Sequence, residues 1–474
     1  MDPSRVEALD TYPFRERLGA VMRPLPPMVP ADGTLSHAVQ ILDETASSAV
    51  AVADAEGKAA GLITERDVVR TLSRHQDHAL AVAAATVMTA PIAAMPAETR
   101  LYKAISRMER LGLRHLGVTD AGRLVGLITP RQFLRRRASG AFALADALEN
   151  APDGPSLAAA RKRLAIIAAD LRKEDMGAID IAELLAEALR DTTRRCAELV
   201  EAEMGPPPGD WCVLILGSGG RGETLLGGDQ DNAIIHSPGA EMETWCAKAG
   251  ERLAAMLGEV GVPLCKGNIM TSNPEWRGDL ATWEQRLSGW WRVEDAEALL
   301  DVDIFYDCQP VHGDLALGDQ LRRYALAGAQ QRMPFLAALA QHLSTLGTAL
   351  NWFGGLRTDH GMIDLKLGGT FPIVAAARTL ALRRGISTTS TPSRIQALME
   401  AEVLSPGDGQ RLIEGLELLM GLILDQQLSD LAAGQPLTTK VEVEHLGSHV
   451  KSRLKESLKQ VDMLANMVRQ GLAG

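Results

Sequence analysis

Hydrophobic positions recur at two spacings along the chain, and the switch between them divides it. Near the front, "SAVAVAD" (48–54) and "RHLGVTD" (114–120) read as β-rich segments, each followed by a turn, the apolar strand "GLIT" (61–64 and 126–129) and a helical stretch. "VMRPLPPMVPADGTL" (21–35) aligns without a gap on "VMTAPIAAMPAETRL" (87–101). The match resumes at "GLITERDVV" (61–69) and "GLITPRQFL" (126–134) after one deletion. The first 140 residues are therefore an internal duplication, each copy built as helix, strand, turn, strand and helix.

From 141 to 204 the apolar residues shift to i, i+3, i+4 spacing, in "LAAARKRLAIIAADLRK" (157–173) and "IDIAELLAEALRDTTRRCAELVEAEM" (179–204), which predicts helices. "GPPPGD" (205–210) stops the last of them, because proline cannot continue the hydrogen-bond ladder. "WCVLILGSGGRGE" (211–223) then reads as a buried strand running into a glycine-rich turn, and "DQDNAII" (229–235) ends in another apolar strand. Beyond residue 312 the pattern is helical again, in "FLAALAQHLSTLGTAL" (335–350) and "IEGLELLMGLILDQQLSDLAA" (413–433). "HVKSRLKESLKQVDMLANMVRQ" (449–470) reads as a charged amphipathic helix that faces a bundle or a partner.

Composition narrows the class. A chain of 474 residues exceeds what one hydrophobic core serves, and 46% hydrophobic with 23% charged residues is ordinary for globular domains. The net charge of -11 argues against a general nucleic-acid binder, which needs clustered Lys and Arg, and "RQFLRRR" (131–137) reads as a solvated helix face. Cys196, Cys212, Cys246, Cys265 and Cys308 are odd in number and never in CxxC spacing, so they read as reduced thiols. No stretch reaches the 18 or so apolar residues of a membrane span, and "MDPSRVEALDTYPFRERLGA" (1–20) has no apolar leader core. A cytoplasmic protein without a membrane partner is the reading.

The candidate chemistry lies at the glycine turn. Its spacing fits neither the phosphate loop GxxxxGK[ST] nor the dinucleotide pattern GxGxxG. Asp229 and Asp231 stand two apart at the head of an apolar run, so both project from one face while Gln230 points away. Two neighbouring carboxylates repel and raise each other's pKa, a cost that a divalent cation removes. Mg²⁺ takes one or two carboxylates plus substrate phosphates, and two such ions can clamp an in-line displacement at phosphorus.

The duplicated front resembles a tandem CBS pair, a module that often binds adenine nucleotides and often dimerises. In that family's pattern Thr64 and Asp67 of the first copy and Thr129 of the second would contact the ligand, while Gln132 replaces the second Asp. Thr64 with Asp67 also reads as a helix capping box that needs no ligand. Gly217-Ser218, ten residues, then Asp229-x-Asp231 resembles the polymerase-β-like nucleotidyltransferases, and "GSGGRGE" with "GDQDNAII" is similar to the PII uridylyltransferases and the CBS-linked DUF294 family. "CKGNIMTSNPEW" (265–276), "DIFYDCQPVHGD" (303–314) and "IDLKLGGTFPIVAAARTLAL" (363–382) extend the likeness.

The resemblance implies that Gly217 and Ser218 cradle a triphosphate and that Arg221 and Glu223 belong to the nucleotide-binding loop. Asp229 and Asp231 would hold metal, and Asp307 would be the third catalytic and metal-binding carboxylate. Asp303, four residues earlier and on the same face of a continuous strand, is the fallback. Gln309 stands where the family shows Arg. Lys266, Asn268 and Asn273 would face nucleotide or fix loops, and Asp364, Lys366 and Arg378 would bind substrate or form a buried ion pair.

The implied fold is α/β plus α. A short segment (1–20) precedes an α+β CBS pair (21–140), a helical connector (141–205), an α/β nucleotidyltransferase domain with a mixed sheet (206–315) and a helical substrate-binding domain (316–474). The implied activity is Mg²⁺-dependent transfer of NMP from an NTP to an acceptor hydroxyl, on a protein in the uridylyltransferase manner, with an adenine nucleotide on the CBS pair and a homodimer through it. The alternative from another class is a non-catalytic adenine-nucleotide sensor that signals through a partner protein.

Overall fold

The computed structural model describes residues 17–129, 144–292 and 303–473, apart from 26, 46, 100, 145, 346–348, 352 and 353. The basic run 131–137 and Gln132 lie outside the described residues. The chain forms two compact units, Met1–Ala143 and Leu144–Gly474.

The described residues of the first unit contain seven strands: β1 Arg23–Pro24, β2 Val29–Pro30, β3 Ala49–Ala53, β4 Ala59–Thr64, β5 Ala94–Pro96, β6 Leu116–Asp120 and β7 Arg123–Ile128. The hairpins β3–β4 and β6–β7 are the β-rich halves of the two copies, and they form sheets of order β2-β3-β4 and β1-β7-β6-β5. The leading segments are exchanged. β1, from the first copy's "VMRP", pairs with β7 of the second copy, and Thr89, from the second copy's "VMTA", exchanges two backbone hydrogen bonds with Leu62 in β4 of the first. Small residues permit this crossing. A Cβ on Gly61 would lie 2.6 Å from Met88 Sδ, and one on Gly126 would lie 2.6 Å from Met22 Sδ and 2.5 Å from the Arg23 carbonyl oxygen. Leu18 and Val21 complete the second copy's core with Leu101, Ala104, Met108 and Leu116.

The second unit is built on a mixed sheet of order β10-β9-β8-β11, with β8 Trp211–Ile215, β9 Asn232–His236, β10 Arg277–Asp279 and β11 Gln309–Gly313. β8 is antiparallel to both neighbours, and β10 is parallel to β9. The central strand is buried on both sides, so its side chains serve two cores in alternation. Trp211, Val213 and Ile215 pack with the helices Gly154–Lys173, Ala178–Met204 and Ala240–Glu259. Cys212 and Leu214 face the helices of the C-terminal half.

The segment read as a connector is thus part of this unit's core. It is also fastened to the C-terminal helix Pro406–Ala432: Glu417 accepts hydrogen bonds from the backbone N–H groups of Ala178 and Ile179, capping a helix that begins after Gly177, and Arg172 pairs with Asp425 at 2.7 Å. In the C-terminal half, β12 Met362–Asp364 pairs with β13 Lys440–Glu442. A π-helical turn, Lys366–Thr370, leads into Phe371–Arg384, a helix buried from Pro372 to Leu382 and apolar there except for Arg378 and Thr379. Among the described residues no helix is long and apolar enough to cross a membrane.

The crossed segments of the first unit generate a direct expectation. Gly126→Ala drives a Cβ into the Arg23 backbone, and overpacking of this kind costs about 1–3 kcal/mol, so the first unit's unfolding midpoint in the full chain should fall. An unchanged midpoint would contradict the exchange.

Candidate functional site

β8 delivers the chain to Leu216, whose N–H donates to the Asp231 carbonyl at 2.8 Å, and the helical turn Gly217–Arg221 follows. Gly217 sits at φ 55°, and a Cβ there would lie 2.7 Å from Asp231 Oδ2. At Gly220 a Cβ would overlap the Asp307 carbonyl oxygen at 1.8 Å. The glycines therefore let the backbone close on two acids at once.

Asp229 and Asp231 lie in the loop just before β9. Gln230 between them points the other way, donating from Nε2 to the carbonyls of Ala254 at 3.0 Å and Val262 at 2.9 Å. The two carboxylates converge with the Cys265 thiol, one ligand atom from each lying within 4.8 Å of the others. Burial, then the charge of Asp229, pushes Asp231 up to about 6, against the opposing influence of Cys265, Lys366 and Arg221. Burial and Asp231 push Cys265 up to about 12, so it is a neutral thiol. Neither aspartate forms an ion pair with a described residue. Two close, under-compensated carboxylates fit a hard divalent cation such as Mg²⁺, whose shell phosphates and water complete; a protonated thiol adds no charge toward a soft metal.

Asp307, read from the resemblance as a third metal carboxylate, stands in a different environment. The segment Asp303–Asp307 is a 3₁₀ turn, and the strand starts only at Gln309, so the alternation argument does not apply to it. Asp307 is fully buried, and both its oxygens are occupied. Arg221 Nη1 donates to Oδ2 at 2.6 Å, Arg378 donates Nε to Oδ1 at 3.1 Å and Nη2 to Oδ2 at 2.7 Å, and Arg394 Nη1 donates to Oδ1 at 2.7 Å. Burial pushes its pKa up, but Arg378, Arg394 and Arg221 outweigh that and hold it well below the usual carboxylate range. A cation there would meet three guanidiniums. The side chain of the fallback, Asp303, lies outside the described residues.

Arg221 and Glu223 brace the turn from within. Arg221 Nε donates to Glu223 Oε2 at 2.7 Å, and Glu223 also accepts from the N–H of Thr391 at the start of helix Thr391–Glu400. Both still border a cavity of about 90 Å³ with Ser218, Asp229, Lys366 and Gln427. Lys366 thus faces the acids from the C-terminal half, while Arg378 is taken by the ion pair with Asp307. Asp364 caps the π-turn, accepting from the N–H groups of Lys366 at 3.1 Å and Leu367 at 3.0 Å. Asn273 fixes its loop, donating to the Asn268 carbonyl at 3.1 Å. Gln309 donates to Thr389 Oγ1 at 3.0 Å, and Thr389 donates to the Gly220 carbonyl at the same distance. The sequence carried no signal for Arg394. Cys265 was visible only as the first residue of a shared motif.

In the first unit, Thr64, Asp67 and Thr129 line one cleft of about 600 Å³ with Ser48, Arg70 and His115. The capping box is present: Asp67 Oδ2 accepts from the Thr64 N–H at 3.0 Å and hydroxyl at 2.7 Å. Capping and cleft lining therefore coincide. Ser48 Oγ and His115 Nε2, 2.8 Å apart, join the two copies across the cleft.

Comparison with known proteins agrees with this division. Residues 18–74 and 84–139 match the CBS domain, 162–297 match "Putative nucleotidyltransferase DUF294", and 333–472 match "Putative nucleotidyltransferase substrate binding domain". No curated protein matches the chain. Similar solved structures include a CBS-domain protein from Agrobacterium tumefaciens, at 23% identity and TM-score 0.24 over 26% of this chain and 92% of that chain. Another is a CBS domain protein from Pyrobaculum aerophilum complexed with AMP, at 21% identity and TM-score 0.24 over 26% of this chain and 94% of that chain. The chain carries tandem CBS domains ahead of the DUF294 nucleotidyltransferase domain and its C-terminal substrate-binding domain.

Proposed function

We propose that the second unit transfers a nucleoside monophosphate from an NTP to an acceptor hydroxyl, with release of pyrophosphate, and that an adenine nucleotide on the CBS pair regulates it. The observation that carries the reading is the division of acids at the turn: Glu223 and Asp307 are neutralised by arginine, whereas Asp229 and Asp231 converge without an ion pair to any described residue. Asp229 and Asp231 would hold Mg²⁺, which when bound neutralises phosphate charge and lowers the pKa of the acceptor hydroxyl. Gly217 and Ser218 bring backbone and hydroxyl to the phosphates, and Lys366 adds positive charge from the opposite wall of the cavity. The acceptor is a protein side chain by likeness to the uridylyltransferases. The enclosing C-terminal helices restrict which hydroxyl can enter.

One observation favours the sensor as a second reading: with Asp307 held by three arginines, only two of the three expected metal carboxylates, Asp229 and Asp231, are without an ion pair to a described residue. Incubation with labelled NTP, Mg²⁺ and cell extract separates the two. A labelled protein band or released pyrophosphate supports transfer, and binding without turnover supports the sensor.

Asp229→Asn and Asp231→Asn should each lower Mg²⁺-dependent transfer at least about 100-fold with the fold retained, the scale on which electrostatic stabilisers act. Without metal, Asp231→Asn should stabilise the protein. A carboxyl raised from 3.8 to about 6 penalises the folded state progressively as pH rises between those values, so the gain appears fully above about pH 6 and vanishes below about pH 4. Its size follows from roughly 1.4 kcal/mol per pKa unit. Asp307→Asn should instead lose about 3–5 kcal/mol of stability, as when a buried ion pair is broken from one side. An Asp307→Asn protein as stable as the parent yet inactive would return the metal role to Asp307.

For the CBS cleft, Asp67→Asn keeps an acceptor for the helix cap but removes the charge that would hold ribose hydroxyls. Calorimetry on the full chain should show AMP or ATP bound at least about tenfold more weakly, and unchanged affinities would remove Asp67 from the ligand site.

A further inference from the structure

Helix Gly154–Lys173 places Arg161 in the lining of a second cavity, about 370 Å³, within the range of small-molecule sites. Its walls are mainly apolar, including Leu164, Leu185, Leu189 and Val260. Among the described residues Arg161 has no carboxylate partner. Its Nη1 donates to Thr192 Oγ1 at 3.3 Å, and its Nε is buried without a hydrogen-bond partner. The neighbouring Cys196 offers no negative charge, since burial pushes that thiol up to about 12. Glu259, also at the cavity, is engaged by Arg252 at 3.0 Å. Burial pulls the Arg161 guanidinium below its ordinary value, as it must for a cation with too little solvation.

An uncompensated cation inside an apolar cavity is costly unless an anion joins it. The geometry points to a binding site for a small carboxylate with an aliphatic body, its anion paired with Arg161 and its chain lying against Leu164, Leu185 and Leu189. This site is separate from the one at Asp229, yet the two cavities share Leu225 and Gly228 as a common wall. An occupant therefore touches the loop that leads directly into Asp229.

Calorimetry of the full-length protein with octanoate, 1-octanol and acetate tests the site without reference to transferase activity. Octanoate should bind, and more tightly than either acetate, which lacks the aliphatic body, or octanol, which lacks the charge. Arg161→Gln should weaken octanoate at least tenfold. Ala165→Phe, which fills the cavity and keeps Arg161, should do the same, so the test survives if one variant fails to fold. Arg163→Gln, exposed on the same helix, should bind octanoate as the parent does. No octanoate binding, equal binding of octanol or acetate, or undiminished binding in a folded Arg161→Gln or Ala165→Phe protein would overturn the proposal.

Discussion

Asp307 is a carboxylate with no exposed surface, and the second unit is arranged around keeping it charged. A buried carboxylate stays ionised only if nearly every lone pair is met, and here three arginines from three parts of the chain meet them. Arg221 comes from the glycine turn, Arg378 from the buried helix Phe371–Arg384 and Arg394 from Thr391–Glu400. Removing any one leaves charge uncompensated in the interior. The glycine turn and the C-terminal helices are therefore held in one register. Because the π-turn Lys366–Thr370 precedes Phe371–Arg384 directly, the same register brings Lys366 over the paired aspartates.

The four acids near the turn occupy two electrostatic regimes. Glu223 and Asp307 share three guanidiniums, which leaves the bracing network with an excess of positive charge beside the turn that the proposed triphosphate would approach. Against burial and their mutual repulsion, Asp231 has the Cys265 thiol and the charges of Lys366 and Arg221, which do not suffice, and Asp231 is raised accordingly. The fixed network positions, and the under-compensated pair is free to bind. The glycines make the division sterically feasible, since Gly217 is packed against Asp231 and Gly220 against Asp307.

Much of this was legible because it is local. The strand, the glycine turn and the spacing of Asp229 and Asp231 are fixed within 25 residues, but both acids lie in the loop before β9, so Gln230 is turned away by the Ala254 and Val262 carbonyls rather than by strand alternation. The duplication identified both halves of the first unit. It could not reveal that the leading segments are exchanged, because pairing "VMRP" with the other copy leaves the repeat itself unaltered. The surroundings of Asp307 were hidden for a similar reason: its partners Arg378 and Arg394 are 71 and 87 residues away, and neither carries a spacing signal toward it. The resemblance supplied a role for the residue, while the tertiary fold supplies its partners. The helices before residue 205 were recognised as helices, but their place in the core depends on Glu417 and Asp425, more than 200 residues further on.

The account rests on which acids take the metal. Anomalous diffraction from crystals of the full-length protein grown with Mn²⁺ and a non-hydrolysable ATP analogue measures this directly. The account predicts an Mn²⁺ peak within bonding distance of the Asp229 and Asp231 carboxylates, with Asp307 still held by Arg221, Arg378 and Arg394. A peak at Asp307, with those arginines displaced, or nucleotide bound with no metal at Asp229 and Asp231, would contradict it.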